Sequence, residues 1–118
     1  MDDGVELLDR LFSPSRSTRP NAVQTMRARM LLWRARQQNQ RGNPAAAEEL
    51  YARLLQVAPH RYRAWIQYGH LLKDQGDWPA ALAAYRMALK LVPGDADAML
   101  HHETLSRASE EMRGRPPA

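Results

Sequence analysis

Apolar side chains recur along this chain at the spacing of α-helices, in segments separated by glycine and proline. In the stretch WIQYGHLLKDQGDW, the residues Trp65, Tyr68 and Leu72 lie three and four positions apart, which places them on one face of a helix. Gly69 falls on the same face, where a glycine costs about 1 kcal/mol relative to alanine. We therefore expect a close packing contact at Gly69, because such a contact would offset the lost helix propensity.

Five main helices are predicted from Asn21 onward, each bounded by a capping residue, a glycine or a proline. No segment alternates apolar and polar residues with a period of two, so the pattern predicts an all-α domain. The predicted helices run from Asn21 to about Arg41, from Pro44 to just before Pro59, from Arg61 to Gln75, from Pro79 to Leu91 and from Asp95 to about Met112.

Residues 1–20 are predicted to form a separate segment, an acidic amphipathic helix followed by a linker. Residues 4–12, GVELLDRLF, have apolar side chains at helical spacing, but a helix of about two turns is marginal without something to pack on. Residues 13–20, SPSRSTRP, are rich in serine, arginine and proline, which is typical of a linker. At the other end of the chain, residues 113–118 are predicted to be a disordered tail.

The sequence contains an internal repeat. Aligning residues 27–60 with residues 61–94 gives eight identities, which fall at predicted turns, at small residues and at aromatic residues. These are the positions that a packed helix pair constrains most, so the repeat indicates two copies of one helical hairpin. The identical pairs are Arg27/Arg61, Arg29/Arg63, Gly42/Gly76, Ala46/Ala80, Ala47/Ala81, Tyr51/Tyr85, Leu55/Leu89 and Pro59/Pro93.

The residues of the second copy resemble a known repeat family. The pattern Trp65-x2-Tyr68-Gly69-x2-Leu72, followed by Ala81-x3-Tyr85 and Pro93, is similar to the tetratricopeptide repeat, and the interval between the two copies equals the period of that family. The second repeat, residues 62–95, matches this pattern well. The first repeat, residues 28–61, departs from it at Leu31, Arg34 and Gln38.

The resemblance implies an all-α fold of the α-α superhelix type, with about five main helices besides the short N-terminal one. Within the second hairpin, Gly69 is expected to face Ala81, so that the two helices can approach closely. The aromatic residues of the repeats would then be buried core residues. The implied domain covers residues 21–112 and consists of a hairpin at 21–59, a hairpin at 61–93 and a capping helix at 95–112.

The resemblance also implies a groove for a ligand. In such arrays the first helix of each hairpin lines the concave side, where the partner binds. Trp33 is the largest side chain expected there, and two interpretations stay open: an exposed anchor for the ligand, or a residue covered by the N-terminal helix. The predicted groove residues are Arg29, Leu32, Trp33, Arg36, Arg63, Ile66, Gln67, His70 and His101.

The charge of the chain indicates which ligand the groove would take. There are 17 Lys and Arg against 13 Asp and Glu, and residues 10–47 contain eight arginines and no carboxylate. A groove that is basic along one side, with apolar patches at Leu32, Trp33 and Ile66, suits an acidic amphipathic peptide. Residues 2–12, DDGVELLDRLF, have that character, so we expect them to pack on the array or to mediate self-association.

No catalytic, cofactor or metal site is predicted. The chain has no cysteine, and it contains no phosphate-binding glycine loop, nucleophile elbow or paired carboxylates. The adjacent residues His101 and His102 would point about 100° apart on a helix, which does not suit two ligands of one metal ion. The sequence therefore does not predict an enzyme.

The favoured function is non-enzymatic binding of a protein or peptide, as an adaptor, a scaffold or a secretion-type chaperone. One alternative is the N-terminal repeat module of a larger bacterial enzyme, such as a glycosyl- or sulfotransferase. Another is binding of nucleic acid or another polyanion, which the nearly balanced charge of the last two helices disfavours. Because there is no secretory signal and no long apolar segment, the chain is expected in the cytoplasm.

Overall fold

The computed structural model describes residues 21–114, which form five α-helices. They are α1 (Ala22–Gln40), α2 (Pro44–Val57), α3 (Tyr62–Asp74), α4 (Trp78–Leu91) and α5 (Ala96–Gly114). Helix α1 packs against α2 and α3 packs against α4, while α2 contacts α3 and α5 packs on α4. Residues 21–114 contain no strand, and the predicted all-α repeat fold is confirmed. The predicted N-terminal helix and linker lie outside the described residues.

Side-chain caps mark the starts of three helices, at Asn21, Asp77 and Asp95. At the start of α1 the Asn21 side chain accepts a hydrogen bond from the backbone N–H of Gln24 (2.8 Å), and the Gln24 side chain accepts one from the backbone N–H of Asn21 (3.3 Å). At α5 the Asp95 carboxylate accepts from the N–H of Ala98 at 3.0 Å. These short-range bonds satisfy backbone donors that the helix itself leaves free.

The first helix of each hairpin ends at a glycine, Gly42 in the first hairpin and Gly76 in the second. Gly42 and Gly76 have positive φ angles of 81° and 85°, a conformation that costs other residues energy. After Gly42, the N–H of Asn43 bonds to the carbonyl of Gln38 at 2.9 Å. This bond pattern is a Schellman cap, and it explains why the glycine recurs in both repeats.

The buried core consists of two clusters, one for each hairpin. Leu54 lies in the first cluster and Tyr85 in the second, and neither side chain is accessible to solvent. Trp65 and Tyr68 on α3 are half-buried and pack against both clusters. The indole Nε1 of Trp65 also donates a hydrogen bond to the carbonyl of Pro59 at 2.9 Å. The aromatic residues of α3 therefore join the two repeats into one core.

Gly69 does provide a close contact, but its partner differs from the predicted one. A Cβ atom on Gly69 would lie 2.6 Å from Cε1 of Tyr85, and its nearest neighbours are all atoms of that ring. The expected partner, Ala81, is buried but is not among these nearest atoms. The bare backbone thus accommodates an aromatic ring rather than a methyl group from the neighbouring helix.

Candidate functional site

Three adjoining hollows lie along the side of the molecule that α1, α3 and the start of α5 form. Gln67, in the middle of α3, lines all three of them. Arg36 lines the two hollows nearest α1, and His70 lines the middle hollow and the one nearest α5. The first helix of each hairpin therefore supplies this surface, as the repeat geometry requires.

The hollow between α1 and α3 has a volume of about 380 Å³ and is strongly basic; we call it the arginine hollow. Helix α1 contributes two side chains one turn apart, and α3 with the two residues before it contributes the rest. The Arg63 guanidinium lies 5.8 Å from the centre of the Tyr62 ring. The lining residues are Leu32, Arg36, His60, Arg61, Tyr62, Arg63, Ala64 and Gln67.

The middle hollow is organised by the hydroxyl of Tyr51. This hydroxyl donates to Oε1 of Gln67 at 2.9 Å, a bond that links the second helix of one repeat to the first helix of the next. Burial raises the pKa of Tyr51, and the nearby Arg36 partly opposes that rise. Gln67 is thereby oriented at the centre of the surface.

The hollow nearest α5 has carboxylates in its lining, Asp95 and Asp97, beside Arg63 and His70. The surface is therefore basic at the α1 end and acidic at the α5 end. The sequence predicted a groove that is basic along one side, and the structure limits the excess of arginine to the part near α1. An anionic ligand would be attracted to that part alone.

A cluster of His70, Asp97 and His101, which we call the histidine cluster, joins α3 to α5. Nδ1 of His101 lies 2.9 Å from Oδ1 of Asp97 and 2.9 Å from the backbone carbonyl oxygen of the same residue. Nε2 of His70 lies 4.0 Å from Oδ2 of Asp97. The two imidazole ring centres are 4.4 Å apart. One nitrogen or oxygen atom from each residue can be chosen so that all three lie within 4.8 Å of one another.

The inner side of this cluster is held by Tyr85, whose hydroxyl lies 2.7 Å from Nδ1 of His70. Burial lowers the pKa of His70, and the neighbouring His101 lowers it further, while Asp97 opposes both. Burial also raises the pKa of Tyr85 to about 12, with contributions from Asp74 and Asp97. At neutral pH the pair is therefore an uncharged imidazole beside an uncharged phenol.

Comparison with known proteins identifies the repeat. A model of the tetratricopeptide repeat matches residues 38–101, which is more than half of the chain. The chain belongs to the tetratricopeptide repeat family. Membership of this family makes it a protein-interaction module.

Two curated relatives are each similar to just over half of this chain. Protein O-mannosyl-transferase TMTC1 of Homo sapiens is 38% identical over 66 residues, which are 56% of this chain and 8% of the human protein. The Mus musculus protein of the same name is 36% identical over 66 residues, which are 56% of this chain and 7% of the mouse protein. The chain thus spans less than a tenth of the relatives that it matches. Among residues 21–114, no helix has both the length and the apolar character that a membrane span needs.

Most of the predicted groove residues lie on the surface that the repeats form. Six of them line the hollows, and His101 belongs to the histidine cluster at one end. Two others, Arg29 and Trp33, are exposed on α1 and do not line these hollows; Trp33 is 63% exposed. Those that line the hollows and are also accessible are Leu32, Arg36, Arg63, Gln67 and His70.

Ile66 differs from the prediction. It was expected to form an apolar patch in the groove, but it is only 5% exposed and belongs to the second core cluster. Ile66 lines the hollow nearest α5, but because it is almost fully buried it offers little surface to a ligand. Ile66 is buried because the second core cluster encloses it with side chains from α4 and α5, among them Tyr85, Ala98 and Leu105.

The list of predicted groove residues omits several that the structure places on this surface, including Arg61, Tyr62 and Asp97. Arg61 and Tyr62 line the arginine hollow, and Asp97 completes the histidine cluster. Arg61 could have been predicted, because the equivalent position of the first repeat, Arg27, is also an arginine. The spacing of four residues between Asp97 and His101 places both on one helix face, and it was a signal for the cluster.

Proposed function

We propose that the chain binds an acidic, amphipathic segment of a partner protein in the arginine hollow. The observation that carries this proposal is that Arg36 from α1 and Arg61 and Arg63 from the following repeat surround one hollow with apolar Leu32 in its wall. The carboxylates of a ligand would accept paired hydrogen bonds from these guanidinium groups. The apolar face of the ligand would contact Leu32 and the stem of Arg36.

Trp33 supplies a further argument for a ligand that contacts α1. It follows Leu32 on α1, and 63% of its surface is exposed, which is unusual for tryptophan. A large exposed aromatic residue beside a charged hollow is typical of a binding anchor. We propose that Trp33 extends the contact beyond the arginine hollow.

The chain contains one segment with the chemistry of the proposed ligand. Residues 2–12, DDGVELLDRLF, combine four carboxylates with five apolar side chains, and this composition supports binding within one molecule or between two. Self-association through these residues is therefore part of the proposal. The same peptide is a defined probe, because its charge and its apolar face can be changed independently.

The experiment uses the full chain and a fluorescent synthetic peptide, DDGVELLDRLF. Polarisation is measured for the wild type and for the double variant Arg36→Glu/Arg63→Glu. We expect the double variant to bind at least tenfold more weakly, since each lost charge-assisted contact contributes about 1.5–3 kcal/mol. Arg86→Glu serves as the matched control, because Arg86 is exposed on α4, away from the hollow.

Two further arms distinguish the alternatives. A peptide in which the carboxylates are replaced by lysine should not bind, whereas equal binding of both peptides would contradict the proposal. A single-stranded oligonucleotide tests the polyanion alternative: tight binding that falls steeply with salt, stronger than that of the peptide, would favour nucleic acid. A partner anchored by apolar contacts would lose much less affinity at high salt.

A second candidate function is supported by the relatives. Because 66 residues of this chain resemble part of an O-mannosyl-transferase, the repeats are also suited to act as the interaction module of a larger transferase. In either setting we propose that the repeats bind and do not catalyse, and that they act in the cytoplasm. A reading frame that joins these repeats to a catalytic domain would support the second candidate, and localisation of a fluorescent fusion tests the compartment.

A further inference from the structure

The histidine cluster has a composition that neither the packing of the helices nor the proposed peptide site requires. Asp97 and His101 are one turn apart on α5, and His70 reaches them from α3. We propose that the histidine cluster binds a divalent transition-metal ion of the zinc type, with the two imidazoles and the Asp97 carboxylate as ligands. The site does not depend on the proposed peptide binding.

The distances within the cluster are close to those of such a site. Zinc bonds of about 2.0–2.1 Å in a tetrahedral arrangement place ligand atoms about 3.3 Å apart. The Nδ1–Oδ1 distance of 2.9 Å between His101 and Asp97 is slightly shorter, and the Nε2–Oδ2 distance of 4.0 Å between His70 and Asp97 is slightly longer. Small side-chain rotations, which would also release Nδ1 of His101 from the Asp97 carbonyl, would bring Nδ1 of His101, Nε2 of His70 and one carboxylate oxygen of Asp97 to one ion. No helix would have to move.

The residue behind His70 completes the arrangement. Metal-bound histidines almost always donate their second ring N–H to a neighbouring acceptor, which fixes the orientation of the ring. The Tyr85 hydroxyl occupies that position, 2.7 Å from Nδ1 of His70, and Tyr85 is fully buried. With the proton on Nδ1, the lone pair of Nε2 is directed outward to the side where Asp97 lies.

The donor set selects the class of metal. Two imidazoles and one carboxylate are ligands of zinc, nickel or copper, whereas magnesium and calcium prefer oxygen ligands. The side chains of His70, Asp97 and His101 are 34%, 55% and 29% exposed, so an ion can enter from solvent. Three protein ligands leave a fourth position for water, as in an open zinc site.

The test titrates the untagged full-length protein with zinc chloride after removal of metal by EDTA. Isothermal calorimetry should show one zinc ion per chain, and a large excess of magnesium should not compete. Cobalt chloride in place of zinc should give visible absorption bands of a tetrahedral site. Absence of any binding at one equivalent, or equal competition by magnesium, would overturn the proposal.

Variants locate the ion. Asp97→Asn and His101→Ala should each weaken zinc binding by at least tenfold and alter the cobalt spectrum, while circular dichroism confirms that the helices are intact. Tyr85→Phe should weaken binding about tenfold, the effect expected for loss of a supporting hydrogen bond. His102→Ala is the matched control, since it removes an adjacent imidazole from the same helix. Zinc affinity that is unchanged in Asp97→Asn and His101→Ala would place the ion elsewhere and refute the assignment.

Discussion

The hydroxyl of Tyr85 reaches Nδ1 of His70 because the ring of Tyr85 crosses the bare backbone of Gly69. The oxygen–nitrogen distance is 2.7 Å, and the ring carbons lie where a side chain at position 69 would begin. The glycine thus links the core to the functional surface, since it lets a residue of α4 support a histidine of α3. In the first repeat the equivalent residues are Ala35 and Tyr51, and the Tyr51 hydroxyl bonds instead to Gln67 of the next repeat.

The close contact between the Gly69 backbone and the Tyr85 ring predicts that Gly69→Ala destabilises the protein, although alanine is the better helix former. The new Cβ would lie 2.6 Å from Tyr85, and overpacking of a buried site costs about 1–3 kcal/mol, more than the gain of about 1 kcal/mol in helix propensity. We expect a net loss of up to about 2 kcal/mol, measured by urea unfolding. In a Tyr85→Leu background the same substitution should become neutral or stabilising. A stabilising effect in the wild-type background would contradict the packing.

At a glycine that ends a helix, substitution should lower the stability through backbone strain rather than through a steric clash. Gly76→Ala should cost about 1 kcal/mol, because Gly76 has a φ of 85° that alanine adopts only with strain, although a Cβ there would meet no atom within 4 Å. Gly94→Ala is the matched control, since Gly94 has equal free space and no positive φ. Thermal unfolding of both variants checks this, and equal effects at the two positions would show that backbone conformation is not the cause.

Truncation to alanine should destabilise the protein strongly at Trp65 and hardly at all at Trp33. Trp65→Ala removes a ring that packs against both core clusters, and we expect a loss of about 3 kcal/mol in urea unfolding. Trp33→Ala should change the stability by less than about 0.5 kcal/mol, because Trp33 is mostly exposed. A large loss at Trp33 that disappears when residues 1–20 are deleted would show that the N-terminal segment covers it.

The fold could be predicted from the sequence because its determinants are local and repeated. Apolar spacing, the caps at Asn21 and Asp95, and the glycines Gly42 and Gly76 each act within a few residues, and the internal repeat duplicates the hairpin. The same reasoning placed Arg36 and Arg63 on the face that the first helices present. These features depend on which residues follow one another, so the sequence alone determined them.

Only the tertiary structure decided which side chains meet. The burial of Ile66 depends on the side chains of α4 and α5 that share its core cluster. The different partners of Tyr51 and Tyr85 depend on the residue that lies opposite each hydroxyl. The meeting of His70 with Asp97 and His101 likewise requires α3 and α5, which the whole of α4 separates along the chain, to pack at a particular rotation. Successive residues of an α-helix lie about 100° apart around its axis. The linear sequence does not specify which of these faces meets a distant helix.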